Sequence, residues 1–432
     1  MARITSTPTT LTVTSIPAWA PAPGQYASIS LANASTIDPC PARNCSYSGN
    51  NGFESLWIAW NGGAYASSLG EYGSMLFFGG GHFAYDGNCV AAYDVAARNW
   101  KLLSKPSNYN TRRSGDSDSV NVLVDQDGSF PDGTPYPNHT NMGCDYLPPA
   151  GGGGMLGSYV FMGHDNTGVN ISRNNLWRFD LQTRTWTRWT MPVRLGDLCS
   201  LVYDSKRRGL WWYAGYIAES YYSGPLWFID VVNRTVTRVG INSARGKLGP
   251  NIYMPGMTYV EARDCLVLPM SGAGLELQCI ELANLELGPN CWVRAFNVSQ
   301  SGQKCRSLWL FPDGGSANSW QNYATADKLE YCSEDGCLYS LDLYASGPCN
   351  LYRLDPPPPG QLQSGTWNWT DQTLAPKAGE KLALRTLPYA PSSDKRLYGK
   401  MRFVAVIKSF VMSDHDRLPV QGLRPREFAS RG

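Results

Sequence analysis

Four histidines occur in 432 residues: His82, His139, His164 and His415. Imidazole titrates near neutrality, so these are the first groups to consider for proton transfer. His82 follows three glycines in GGGHFAYDGN (79–88), beside Tyr85. His164 stands in FMGHDNTG next to Asp165, at the place that corresponds to His82 one repeat later. His139 precedes the next apolar run, and Tyr216, in YAGY, takes the corresponding place in a third copy. Arg173 and Arg194 are the cations nearest in sequence. A base, a second proton carrier and a cation are what general acid–base chemistry beside a carboxylate requires. The bland alternative is that His82 and His164 hold loop backbone at equivalent corners.

Other signatures of chemistry are missing. The GGGG run at 151–154 is not followed by Lys-Ser/Thr, so it is no phosphate loop, and no Gly-x-Ser-x-Gly elbow occurs. No Cys-x-x-Cys pair is present. No cofactor and no metal site is expected.

These residues sit within a repeat. An apolar or aromatic residue, an acid, several turn-forming residues and then Trp recur as AAYDVAARNW (91–100), WRFDLQTRTW (177–186) and WFIDVVNRTV (227–236), with weaker copies at 279–292 and 352–367. The acids are Asp94, Asp180, Asp230, Glu281 and Asp355, and two of their intervals are about fifty residues, the length of one sheet-forming unit. Before each copy lies a hairpin signature marked by Tyr65, Tyr146, Tyr203, Tyr259 or Tyr331, and a sixth is marked by Phe403. Six hairpins, five followed by a second strand pair, predict an all-β protein of six four-stranded blades. Seven blades follow if CRSLWLFP (305–312) begins another. The chain ends soon after the sixth hairpin, so LTVTSIPAW (11–19) is expected to supply the missing outer strand and close the ring. The domains expected are an arm with the ring-closing strand at 1–30, one propeller at 31–425 and a tail at 426–432.

Composition agrees with turns and aromatic strands: 44 glycines, 29 prolines, 15 tryptophans and 24 tyrosines, with 17% charged residues. A net charge of +2 argues against a nucleic-acid-coating protein or one held to membranes by charge. No apolar run is long enough to span a bilayer, and residues 1–20 lack the apolar core of a signal peptide. Twelve cysteines are many. Cys40/Cys45 close a short loop and Cys332/Cys337 flank a turn, so both are candidate disulfides, which would suit an extracellular setting.

WNGGAY (60–65), FFGGGHFAYDGNCVAAYDVAARNW (77–100), DGTPYPNHTNMGCDYLP (132–148) and LWRFDLQTRTWTRW (176–189) together resemble bacterial and phage kelch-repeat, or galactose-oxidase-like, β-propellers. The resemblance implies a scaffold that hosts unrelated activities. Similarity to propeller-shaped lyases acting on uronate glycans would give His139, His164 and Tyr216 proton-transfer roles, with Arg194 or Arg173 as the cation. A copper radical oxidase is not expected, because the Tyr-His pair of that group is missing. Two functions follow as expectations. One is a non-catalytic glycan-binding or structural module on a surface assembly such as a phage virion; the other is a secreted polysaccharide lyase. Both place carbohydrate against His82, Tyr85 and Asp165, and on the aromatic insertion holding Trp309 and Trp320. Partners are then a polysaccharide or cell-surface glycan and other virion proteins, with no nucleic acid and no membrane insertion.

Overall fold

The structure is a computed structural model. It describes residues 15–58, 61–80, 84–108, 128–162, 175–193, 197–216, 226–242, 252–254, 256–270, 276–305, 324–325, 328–342, 349–382, 397 and 399–429. The architecture is all-β and propeller-like, with one short α-helix, Ser55–Ile58, among the described residues.

Most strands fall into antiparallel meanders. The first comprises Gly63–Ala66, Ser74–Phe77, Val90–Asp94 and Asn99–Ser104. The second comprises Cys144–Leu147, Ser158–Met162, Asn175–Asp180 and Trp186–Thr190. The third runs through Asp197–Asp204, Gly209–Tyr216, Leu226–Asp230 and Thr235–Asn242. The fourth runs through Thr258–Val260, Cys265–Met270, Glu276–Glu281 and Trp292–Asn297. Their outer strands pair in parallel, Gly240 opposite Trp292, so the two form one eight-stranded sheet. The fifth holds Glu330–Cys332, Cys337–Leu341, Leu351–Asp355 and Thr366–Asp371, with Ser299–Gly302 added at its edge.

The last meander is made from both ends of the chain. Met401–Val404, Ser409–Met412 and Gln421–Arg424 are joined by Gln25–Ser28, which pairs antiparallel to Gln421–Arg424. Ala375–Pro376 then pairs with Gln25–Tyr26. An N-terminal strand does complete this sheet, but it is not the stretch at 11–19. Residues 15–19 carry no strand and 1–14 lie outside the described residues. QYAS at 25–28 wins because Tyr26 and Ala27 are buried against the sheet, whereas Pro17 interrupts the earlier stretch and cannot donate to a ladder.

The repeat maps onto this frame residue by residue. Tyr65, Tyr146, Tyr203, Tyr259, Tyr331 and Phe403 all lie in first strands, and Asp94, Asp180, Asp230, Glu281 and Asp355 all end third strands. The reason for the acid is local. Asp94 Oδ1 accepts from Ala97 N at 3.0 Å, Asp180 Oδ1 from Thr183 N at 2.7 Å, and Asp230 Oδ1 from Asn233 N at 2.9 Å. Each carboxylate thus closes an Asx-type turn into the fourth strand. Arg98, Arg184 and Arg234 follow with φ of 57°, 57° and 54°, the left-handed residue that finishes the turn. The aromatic of the first strand covers the start of the second: a Cβ on Gly73 would lie 2.4 Å from the Tyr65 hydroxyl. Trp186 packs its ring 5.0 Å from Phe78 of the neighbouring meander, as blade-packing tryptophans should.

Arg207 ties the third and fourth meanders at their turn end. It donates to Asp204 Oδ2 at 2.9 Å and to Asp264 at 2.6 and 3.1 Å, and Trp211 Nε1 adds 2.9 Å to Asp204. Its side chain is 10% exposed. Replacing Arg207 with Met strands two shielded carboxylates and is expected to cost about 3–5 kcal/mol in chemical denaturation. Burial alone would raise the Asp264 carboxyl, but hydrogen bonds from Arg207 and Lys206 outweigh it and hold that carboxyl below its usual value. Its contribution is therefore complete above the unfolded pKa of about 4 and is lost as pH falls through the lowered folded value. Acid titration of unfolding should show a shallower loss in Asp264→Asn than in the parent.

Candidate functional site

In an antiparallel meander the starts of strands one and three and the ends of strands two and four share one end. The opposite end here carries tight turns, such as Val95–Arg98, Ser205–Arg208 and Ala405–Lys408. All connections between meanders, and all between second and third strands, leave from the first end. The sequence candidates belong to these connections, so the strand ends beneath them define the candidate site.

The innermost strands neighbour one another in cyclic order: Gly63–Ala66, Cys144–Leu147, Asp197–Asp204, Thr258–Val260, Glu330–Cys332, Met401–Val404 and back to the first. One hydrogen bond or more crosses each seam. Thr140 Oγ accepts from Gly62 N at 2.8 Å; Asp145 Oδ2 accepts from Tyr203 N at 2.9 Å; Ser200 Oγ accepts from Met257 N at 3.0 Å. Thr258 Oγ donates to Leu329 O, and Glu330 Oε1 accepts from Phe403 N at 3.1 Å. Lys400 Nζ closes the circuit on Asn61 O at 2.6 Å.

Arg402 lies inside this circuit. Its guanidinium donates to Gly63 O at 2.8 Å and Gly399 O at 2.9 Å, and reaches Asp145 at 3.4 Å and Glu330 at 3.5 Å. Burial opposes its charge, yet Glu330 and Asp145 outweigh burial and hold it protonated. Burial pushes the Glu330 carboxyl up against the pull of Arg402 and Lys328. Burial, with Arg402 nearby, pushes the Lys328 ammonium down. Cys144 and Tyr159, packed alongside, are raised by burial. The axis thus carries Arg402, Lys328 and Lys400 against Asp145 and Glu330, all at most 9% exposed. Two glycines let the next layer approach: at Gly79, φ 149°, a Cβ would lie 2.1 Å from Asn61 Oδ1, and at Gly80, φ 138°, 2.3 Å from Tyr85 O.

Against this geometry, His139 is 7% exposed and precedes Thr140 at the first–second seam. Tyr85 is fully buried: its hydroxyl lies 3.2 Å from Cys89 Sγ and its ring meets Tyr47 and Phe53 edge-on. Tyr216 ends the second strand of the third meander, opposite Asp197. His82, His164, Asp165, Arg173, Arg194, Trp309 and Trp320 lie outside the described residues. The structure therefore buries His139 next to Thr140 at the first–second seam and places Tyr85 in the core against Cys89, Tyr47 and Phe53. Sequence reading missed the axial charges. Their signal was one ionisable residue beside the aromatic marker of a first strand, as in CDY, EY and RF (144–146, 330–331, 402–403), where alternation calls for an inward side chain.

The cysteine pairs divide. Cys40–Cys45 is a disulfide, with Cα atoms 6.1 Å apart. Cys332 and Cys337 do stand opposite each other on paired strands but remain thiols, so that disulfide expectation is corrected. Cys337 Sγ instead meets Asp355 Oδ1 at 2.9 Å and Arg353 at 3.3 Å. Beside the disulfide is a cleft of about 880 Å³ lined by Asp38, Asn44, Tyr47, Leu102, Lys105 and Asn108, at the connection end of the first meander's outer strand.

Arg402→Met leaves two buried carboxylates facing each other and is expected to destabilise by about 3–5 kcal/mol. Adding Glu330→Gln to that variant should return part of the loss, a non-additivity readable in a double-mutant cycle by urea denaturation.

No protein-family model matches this chain, and no curated protein matches it.

Proposed function

We propose that this chain is a six-bladed kelch-type β-propeller that binds glycan through its connection end, as a non-catalytic module of a surface assembly such as a phage virion. The cyclic order of six innermost strands supports the blade count. The observation that carries the functional reading is the asymmetry of the two ends: connections of four to ten residues on one, every inter-meander connection on the other. Loops gathered on a rigid scaffold are where binding surfaces are built. In sequence, the stretch between Gly302 and Glu330 contains the aromatic segment SLWLFPDGGSANSWQNY (307–323), and sugars stack on aromatic faces beside amides and acids. The Tyr47 cleft has the same chemistry on a smaller scale.

Binding is favoured over turnover because the axial carboxylates and the guanidinium are paired with one another. No free acid or base among them faces outward. The disulfide suits an extracellular position or a virion surface. Among the described residues no helix is long and apolar enough to cross a membrane.

The test is a glycan array probed with the purified full chain, followed by titration of the best hit. Trp309→Ala or Trp320→Ala is expected to weaken binding about tenfold, equivalent to about 1.4 kcal/mol. Absence of binding across acidic and neutral glycans and whole cells overturns the proposal. Release of an unsaturated uronate, read by ultraviolet absorbance and abolished in His139→Ala, would replace it with the lyase.

A further inference from the structure

The connection between Ser409–Met412 and Gln421–Arg424 carries SDHDR (413–417), and the N-terminal segment is packed over it. Ser35 N donates to Asp416 O at 3.0 Å, and Asn33 Nδ2 to Arg417 O at 2.8 Å. Glu54, ending the 3₁₀ turn Gly52–Glu54, approaches from the same segment. Glu54, His415 and Asp416 each offer one ligand atom, and these atoms lie within 4.8 Å of one another.

Two observations separate this group from an ordinary acidic cluster. Asp416 is 3% exposed, and its buried Oδ1 accepts no hydrogen bond. That oxygen is 2.7 Å from His415 Nδ1, and the same nitrogen accepts from Arg417 N at 3.2 Å. A nitrogen that accepts from the backbone presents a lone pair, not a proton. Two lone-pair atoms at that separation repel unless a proton or a cation lies between them, and acceptance from Arg417 N favours the cation. Glu54 supplies a third donor and is 13% exposed; its own partners, Arg43 at 3.2 Å and Arg417 at 3.6 Å, are 42% and 64% exposed on the rim. Asp38 adds a third carboxylate, close enough to Asp416 to feel its charge.

We propose that Glu54, His415 and Asp416 form a structural binding site for a divalent first-row transition ion, Zn²⁺ in the first instance, which fastens the N-terminal segment to the last meander. One imidazole and two carboxylates suit Zn²⁺. Calcium is disfavoured, since it takes six to eight oxygens and here one donor is nitrogen. The location gives the ion a role. The last meander is completed by Gln25–Ser28, so the bond between chain ends also holds the sheet closed.

The test uses the full chain without an affinity tag, stripped with EDTA and then dialysed against Zn²⁺, Mn²⁺ or Ca²⁺ at one pH. Expected are about one equivalent of bound Zn²⁺ by mass spectrometry of the metal, and a melting temperature several degrees higher than that of the stripped protein. Asp416→Asn and His415→Gln, which keep side-chain volume, should each lower Zn²⁺ affinity at least tenfold and abolish the thermal shift. Substitution with Co²⁺ should give a visible d–d spectrum that both variants lose. If either variant does not fold, the metal stoichiometry and the EDTA effect on the parent still decide. No uptake at 100-fold excess of Zn²⁺ with a melting temperature indifferent to EDTA would overturn the site, and mean that His415 holds a proton. Uptake of Ca²⁺ alone would overturn the assignment of the ion.

Discussion

The whole arrangement depends on one set of contacts, the hydrogen-bonded circuit around the axis with Arg402 inside it. Six innermost strands converge there, and each brings backbone groups that its own sheet cannot satisfy on the axial side. Side chains take up those groups: Asp145 and Glu330 each accept from the backbone of the next strand, and Arg402 donates to the carbonyl of Gly63. A hydrophobic axis could not do this, because apolar side chains leave amides and carbonyls unpaired in a region closed to water. Satisfying the backbone with charged residues is costly unless the charges balance. The two carboxylates and the guanidinium do so at 3.4 and 3.5 Å.

Outside the axis the same demand is met by apolar packing. The large buried clusters lie between neighbouring meanders. Phe78, Phe161 and Trp186 join the first and second; Trp211, Phe228 and Leu266 the third and fourth; Tyr339, Phe403 and Phe410 the fifth and last. Trp57 binds the N-terminal helix to this scheme twice, by stacking near Phe77 and Trp100 and by donating to Ser413 at 2.9 Å. The segment before the first meander is therefore a wedge between the first and last sheets. The Cys40–Cys45 disulfide stiffens that wedge, and Asp38 links it to the group at Glu54, His415 and Asp416, accepting from Cys40 N at 2.8 Å and lying near Asp416.

The separation of the two ends follows from the meander itself. At one end the connections stay short, from four to ten residues, several of them fixed by an Asx contact and a left-handed residue. The longer insertions lie at the other. This is why one scaffold can carry different surfaces, and why fold and activity are separate questions for this chain.

Sequence by itself determined the strands. The aromatic that marks each first strand and the acid that ends each third strand are local devices: one covers a turn glycine and the other caps a turn, so their spacing survives in the chain as a legible repeat. The tryptophans of the repeat, and the pairing of Cys332 opposite Cys337 across a hairpin, were legible for the same reason. Tertiary structure alone decided the rest. Whether two facing cysteines bond depends on where their side chains point, and Asp355 and Arg353 engage Cys337 instead. Which N-terminal stretch completes the last sheet depends on what the sheet edge accepts, and short alternation in LTVTSIPAW is no guide to that. The axial charges join Arg402 to carboxylates 72 and 257 positions away, Glu54 meets His415 and Asp416 from far along the chain, and no local pattern encodes such meetings. His139 shows the boundary between the two: its type marked it as a candidate, but only the fold buried it, next to Thr140 at the seam of the first two meanders.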